Sequence, residues 1–154
     1  MSKVNRGKQF ERVIREAFEK VPGVSIDRLH DQTTGFKGSQ NICDFIVYRE
    51  PYEYYFECKS VHGNTLPLSN ITETQWNGLL QKSQIEGVFA GIICWFVDKD
   101  ITLFLPIVEL QIGKELGYKS IRWDSQSPNI FEIKGKKKRV FFEYSMEDFF
   151  THFE

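Results

Sequence analysis

The stretch CDFIVYREPYEYYFECKS, Cys43 to Ser60, decides how this chain is read. Cys43 to Tyr48 and Tyr54 to Ser60 are runs rich in β-branched and aromatic residues. They flank Arg49-Glu50-Pro51-Tyr52-Glu53, so the spacing predicts a β-hairpin. Side chains alternate between faces along a strand, which puts Asp44, Ile46 and Tyr48 on one side and Cys43, Phe45 and Val47 on the other. On the second strand Tyr55, Glu57 and Lys59 share a face. A connection of about four residues pairs even positions of one strand with odd positions of the other. Asp44 therefore joins Glu57 and Lys59, while Cys43, Phe45 and Val47 join Tyr54, Phe56 and Cys58 on the apolar side. The expected result is a sheet patch that gathers two carboxylates and an ammonium.

The flanking segments give this hairpin its setting. Phe10, Val13, Ile14, Ala17, Phe18 and Val21 repeat at i, i+3, i+4 and i+7, which predicts an amphipathic helix from about Lys3 to Lys20, stopped by Pro22-Gly23. Val24 to Leu29 reads as a strand, and the polar, Gly-containing interval His30 to Ile42 as a loop. Thr72 and Gln75 fit a capping box. The helix they open carries Trp76, Leu79 and Leu80 on one face and stops at Gly87. Val88 to Val97 is almost wholly apolar, as in a strand covered on both faces. Asp98-Lys99-Asp100 then turns into a strand from Ile101 to Leu105. Ile107 to Leu116 reads as a helix, Ser125 to Asn129 as a loop, Val140 to Tyr144 as a strand and Met146 to Phe153 as a closing helix. This order predicts the α/β class, a mixed central sheet flanked by helices, in one domain over residues 1–154.

Composition removes several function classes. Hydrophobic residues make up 41% of the 154, and 14 are Phe, so the chain can bury a core and is not a disordered tail. No apolar run reaches the roughly 20 residues of a membrane span, and the polar N-terminus is not a secretory signal. Cys43, Cys58 and Cys94 form no metal-type pair and read as reduced thiols of a cytoplasmic protein. His30, His62 and His152 are scattered, and Trp76, Trp95 and Trp123 read as packing residues. The formal net charge is −1, yet Lys3, Arg6 and Lys8 form one basic cluster and Lys134, Lys136, Lys137, Lys138 and Arg139 another. Either cluster could meet phosphates. For residues 136–139 a solvated turn is the competing reading.

The hairpin trio suits phosphodiester hydrolysis. Two hard carboxylates, Asp44 and Glu57, can hold Mg²⁺, with Mn²⁺ as an alternative, and the Cys58 backbone carbonyl can add a ligand. Lys59 can orient water and offset charge developing on phosphorus. The same pattern occurs again as Asp124 with Glu132 and Lys134. The first occurrence is preferred because Asp44 lies in a strand able to pair with that of Glu57, whereas Asp124 borders a loop containing Pro128.

Asp44 followed by Glu57-Cys58-Lys59 resembles the motif of PD-(D/E)xK nucleases, with Cys43 in place of the leading Pro. Several segments in order resemble RecU-type Holliday junction resolvases of bacteria and their phages. They are Asn5-Arg6-Gly7 with Phe10-Glu11, Cys43-Asp44-Phe45, Phe56-Glu57-Cys58-Lys59, Leu66-Pro67-Leu68-Ser69-Asn70-Ile71 leading to Gln75, and Lys119-Ser120-Ile121-Arg122. The resemblance implies a restriction-endonuclease-like core. It also implies a homodimer that nicks two opposed strands of a four-way DNA junction, in the cytoplasm of a bacterial or phage-infected cell. Asp44, Glu57 and Lys59 take the family's metal-binding and water-activating places. Glu11 matches a carboxylate on the family's first helix, with an exposed helix residue as the plainer reading. Gln75 matches a polar residue opening the helix after the active strand, which capping alone would also explain. The family's long projection between the first two strands is here the short interval His30 to Ile42, where Thr33, Thr34, Phe36 and Lys37 are candidate DNA contacts. Another DNA endonuclease of this fold, restriction-like or end-processing, and a non-catalytic DNA-structure binding protein are the alternatives. The intact trio argues against the latter.

Overall fold

The computed structural model describes residues 6–29 and 41–154. Helix α1 (Arg6–Glu19) leads into β1 (Ser25–Arg28), β2 (Phe45–Arg49) and β3 (Tyr52–Val61). There follow β4 (Thr65–Pro67), α2 (Glu73–Ser83), β5 (Val88–Phe96), β6 (Ile101–Pro106) and α3 (Ile107–Glu115). The chain ends with β7 (Ser120–Arg122), β8 (Phe131–Glu132), β9 (Gly135–Lys137), β10 (Phe142–Tyr144) and α4 (Glu147–Thr151). One sheet has the strand order β1-β2-β3-β5-β6-β8. Only β3 and β5 run parallel in it, and the remaining neighbours are antiparallel. This is the mixed α/β arrangement expected from the order of elements. No helix among the described residues is long and apolar enough to cross a membrane.

The apolar run of β5 lies where its pattern required, between β3 and β6, with every residue from Ala90 to Phe96 buried. Its side chains divide between two layers. Ile93 and Trp95 meet α1 and α4, where Phe10, Ile14, Phe18, Phe149 and Phe150 are buried. Ile92, Cys94 and Phe96 meet α2 and α3 through Trp76, Leu79, Ile107 and Leu110. The first layer is dense in rings, with Phe18 stacked on Phe56 at 5.3 Å between centroids. Removing a ring so enclosed typically costs about 3–5 kcal/mol. Phe56 turned into this layer obliges its neighbour Glu57 to face the other way.

The hairpin turns more tightly than expected, since β2 ends at Arg49 and β3 begins at Tyr52. The parity is nevertheless the expected one, with Phe45 opposite Phe56 and Val47 opposite Tyr54. The register breaks at Asp44. Its N–H donates to the Phe56 carbonyl at 3.0 Å, although Phe56 already faces Phe45. Two residues thus oppose one, the pattern of a β-bulge, which bends the strand and resets the alternation. Cys43, expected beside Phe45 and Val47, accordingly packs in the opposite layer, with Tyr55 and Trp76. Just before it, Ile42 presses on α2. A Cβ at Gly78 would lie 2.2 Å from Ile42 Cγ2. A helical glycine, costing about 1 kcal/mol relative to alanine, lets the Asp44 segment close on α2.

Candidate active site

Beyond the bulge β2 stops, while β3 continues to Val61 with β5 as its partner. The side chain of Asp44 takes up the exposed backbone: Cys58 N–H donates to Asp44 Oδ2 at 2.8 Å. Glu57 is only 6% exposed. Its Oε2 accepts from Lys59 Nζ at 3.2 Å and from Gln75 Nε2 at 3.1 Å. Gln75 is placed by the capping box, in which Thr72 N–H donates to Gln75 Oε1 at 3.1 Å and Gln75 N–H to Thr72 Oγ1 at 3.2 Å. With Oε1 so committed, the amide NH₂ is directed at Glu57. Gln75 thus caps α2 and touches Glu57 at once.

Glu11 departs from its plainer reading as an exposed helix residue. It is buried, and Arg28 Nε on β1 donates to its Oε1 at 2.9 Å. Its charge reaches both Asp44 and Glu57. Arg28 was not singled out in the sequence. It lies in a different element from Glu11, and no local spacing links the two.

The electrostatics follow from crowding acids in a low-dielectric place. Burial, then the charge of Glu57, pushes the Asp44 carboxyl above its ordinary range, against the pull of the Cys58 N–H. Burial likewise raises Glu57, opposed chiefly by the Lys59 ammonium. The charge of Glu57 acts on Asp44, so a proton taken up by the pair relieves the repulsion at the cost of one charge. A cation can do the same. Among the described residues no group of three His, Cys, Asp or Glu side chains forms a metal cluster. Mg²⁺, however, rests on one or two carboxylates and keeps its waters, so the Asp44–Glu57 pair is a sufficient anchor. The Cys58 thiol is pushed well up by burial and stays protonated. What Cys58 offers here is backbone.

Other candidates lie elsewhere. Arg6 and Lys8 are exposed in the first turn of α1, with the Arg6 guanidinium 6.0 Å from the Trp95 ring centre. Lys137 pairs with Asp100 at 2.5 Å and Lys138 with Glu143 at 3.4 Å, while Lys136 stands opposite Glu143 in the β9–β10 register. The chain's own carboxylates thus satisfy much of that basic ridge. Thr33, Thr34, Phe36 and Lys37 lie outside the described residues. In the second motif match Asp124 is exposed and bound to Arg122 at 2.9 Å, and Glu132 is exposed on β8. His62 pairs with Asp98, and His152 stacks on Phe131. A cleft of about 430 Å³ beside Phe89, Phe104, Phe131 and Phe153 borders the start of β5 and includes none of the hairpin carboxylates.

A family model described as Recombination protein U, RecU, matches residues 20–146. No curated protein matches the chain. Among solved structures it is similar to Hjc, a Holliday junction resolvase from the archaeal hyperthermophile Archaeoglobus fulgidus. The identity is 19% and the TM-score 0.49, over 66% of this chain and 78% of that one.

Proposed function

This chain belongs to the RecU family of Holliday junction resolvases, and from that premise we propose that Asp44, Glu57 and Lys59 are the centre at which it hydrolyses phosphodiester bonds of four-way DNA junctions, with Mg²⁺ or Mn²⁺ as cofactor. On this reading its mixed six-stranded sheet would serve as the restriction-endonuclease-like core of such a nuclease. The observation that carries the assignment is the cluster of half-buried Asp44, held by Cys58 N–H at 2.8 Å, and buried Glu57, with the Lys59 ammonium 3.2 Å from Glu57.

A divalent ion fits this donor set. Both carboxyls are held above their ordinary pKa by burial, so a cation recovers the desolvation cost that protons otherwise relieve. Asp44 and Glu57 would hold it, with the Cys58 carbonyl as a neutral third oxygen. When bound, the ion supplies Lewis acidity at a phosphate oxygen and water of lowered pKa. The chain's own groups do the rest. Cys58 N–H fixes the Asp44 carboxylate, and Gln75 keeps Glu57 from rotating away. Lys59, 20% exposed at its side chain, orients the attacking water and offsets charge as phosphorus gains a fifth oxygen. Glu11, held by Arg28, adds negative field beside the pair. Arg6 and Lys8, less than two turns before Glu11 on α1, would meet phosphates next to the site; Thr33, Thr34, Phe36 and Lys37 are further candidate DNA contacts, Lys37 on a phosphate and Phe36 as a wedge or stacking group. Lys136 would act beside them, while Lys137 would have to leave Asp100 and Lys138 Glu143 to do so. A homodimer suits the substrate, since two equivalent centres match the two-fold symmetry of a junction and give symmetric nicks.

The test uses a labelled immobile four-way junction, a duplex and a single strand, each with Mg²⁺ and with chelator. Paired nicks confined to the junction and dependent on metal are expected. Cutting of all three substrates would make the chain a less selective DNA nuclease. Junction binding without cutting in Mg²⁺ or Mn²⁺ would overturn the catalytic assignment.

A further inference from the structure

A groove of about 600 Å³ runs between the first turn of α2 and the end of α3. Glu73, Trp76 and Asn77 form one wall, and Lys114, Tyr118 and Lys119 the other. Gln75, in the same helical turn as Glu73 and Trp76, places its amide on Glu57 at 3.1 Å. The groove therefore opens within about one turn of helix, roughly 5 Å, from a residue that touches the catalytic pair.

We infer that this groove holds the phosphate backbone of one arm of the DNA substrate, through Lys114 and Lys119. The inference rests on the resolvase reading and extends it to a surface outside the hairpin trio. Three observations favour a polyanion. Lys114 and Lys119 form no ion pair among the described residues, unlike Lys137 and Lys138 on the opposite layer of the sheet. Lys114 Nζ lies 4.7 Å from the centre of the Trp76 ring, so an aromatic face supports the ammonium and leaves its N–H groups for a ligand. The start of α2 adds the positive end of an 11-residue helix against the single carboxylate of Glu73.

The basic wall is also held in place. Gly117 ends α3 with φ 93°, a conformation glycine adopts without strain. Tyr118 N–H returns to the Gly113 carbonyl at 2.9 Å, and the Lys119 carbonyl accepts from Leu68 N–H at 2.9 Å. Tyr118 is 63% exposed at the rim, where a sugar or base can lie against it. Farther along the two helices the lining turns to neutral amides and apolar groups, Gln81, Gln84 and Gln111 with Leu80, Val108 and Ile112, and its one charged side chain is Glu115. Positive charge is thus confined to the end beside the carboxylates, where a backbone leaving the scissile position would run.

The experiment measures junction affinity in chelator across a salt series for the wild-type chain and for Lys114→Gln with Lys119→Gln, which keep much of each side-chain stem. Every phosphate that a variant no longer neutralises lowers the slope of log affinity against log salt by about 0.9. The double variant should therefore show a slope smaller by about 1.8 and bind about tenfold or more weakly at low salt. Its single-turnover nicking at saturating protein should stay near wild type. Lys119→Gln alone, at an exposed position, should show about half the change in slope with an unaltered melting temperature. Unchanged affinity and slope, in a protein whose wild type binds and cuts junctions, would overturn the groove assignment. So would an equal weakening from Arg12→Gln with Lys20→Gln, which would reduce the effect to net charge. Failure of the wild type to bind or cut junctions would instead remove the resolvase assignment, and this one with it.

Discussion

Two places in this chain carry an Asp followed by a Glu-x-Lys triplet, Asp44 with Glu57 and Lys59, and Asp124 with Glu132 and Lys134. As patterns they are equivalent, and their surroundings make them opposites. Asp124 is exposed, and its hydrogen bond from Arg122 holds the carboxyl below the usual carboxylate range. Asp44 is pushed the other way, by burial and by the charge of Glu57. A carboxylate already satisfied by a guanidinium and by water gains little from a cation. One kept in a low-dielectric site beside a second acid gains a great deal. The difference lies in the shell around each acid. Phe56 locks β3 from the aromatic layer, Cys58 N–H and Gln75 orient the carboxylates, and Gly78 admits the segment that carries Asp44.

The widest separation between the two sites is expected in cleavage. Asp44→Asn or Glu57→Gln should lower single-turnover nicking of a four-way junction in Mg²⁺ by about 10³-fold, roughly 4 kcal/mol of barrier. Asp124→Asn and Glu132→Gln should stay within about twofold of wild type. A comparable drop in the second pair would erase the distinction.

A smaller effect of opposite sign is expected in stability. Asp44 and Glu57 have folded-state pKa values raised above those of the unfolded chain. Protonation therefore favours the folded state. Their stabilising contribution is complete below the ordinary carboxylate value of about 4 and is lost as pH rises through the raised values. In metal-free buffer Asp44→Asn should melt higher than wild type, by an amount that grows from pH 4 to the neutral range and reaches on the order of 1 kcal/mol. Asp124→Asn should stay within about 0.5 kcal/mol, as exposed substitutions do. Thermal denaturation of the three proteins across that range, with chelator, measures this. An advantage for Asp44→Asn that shrank with rising pH would contradict the burial account.

Much of this was legible in the sequence because it is local. The stripe of α1 appears as 3.6-residue periodicity, the covered strand β5 as an unbroken apolar run, and the cap of α2 as Thr72 three residues before Gln75. Hairpin parity places Phe45 and Val47 with Phe56 and Tyr54 and so turns Glu57 to the other face. The bulge was not legible, because it depends on the Asp44 N–H meeting a carbonyl already paired, and it sent Cys43 to the wrong layer in the sequence reading. The burial of Glu11 and its bond to Arg28 depend on how α1 lies over β1. The pairing of Lys137 depends on β9 approaching Asp100, and that of Lys138 on β10 folding back with Glu143. Lys119 opens a segment that the sequence singles out, but its place beside Lys114 appears only once α3 is laid beside α2. Contacts between elements distant in sequence leave no periodic trace.

Whether Asp44 and Glu57 form an acid pair awaiting a divalent ion is tested most directly by calorimetric titration of Mg²⁺ and Mn²⁺ at neutral pH, in buffers of different ionisation enthalpy. Saturable binding accompanied by net proton release is expected, with both signals lost in Asp44→Asn and retained in Asp124→Asn. Binding without proton release, or binding that survives Asp44→Asn, would contradict it.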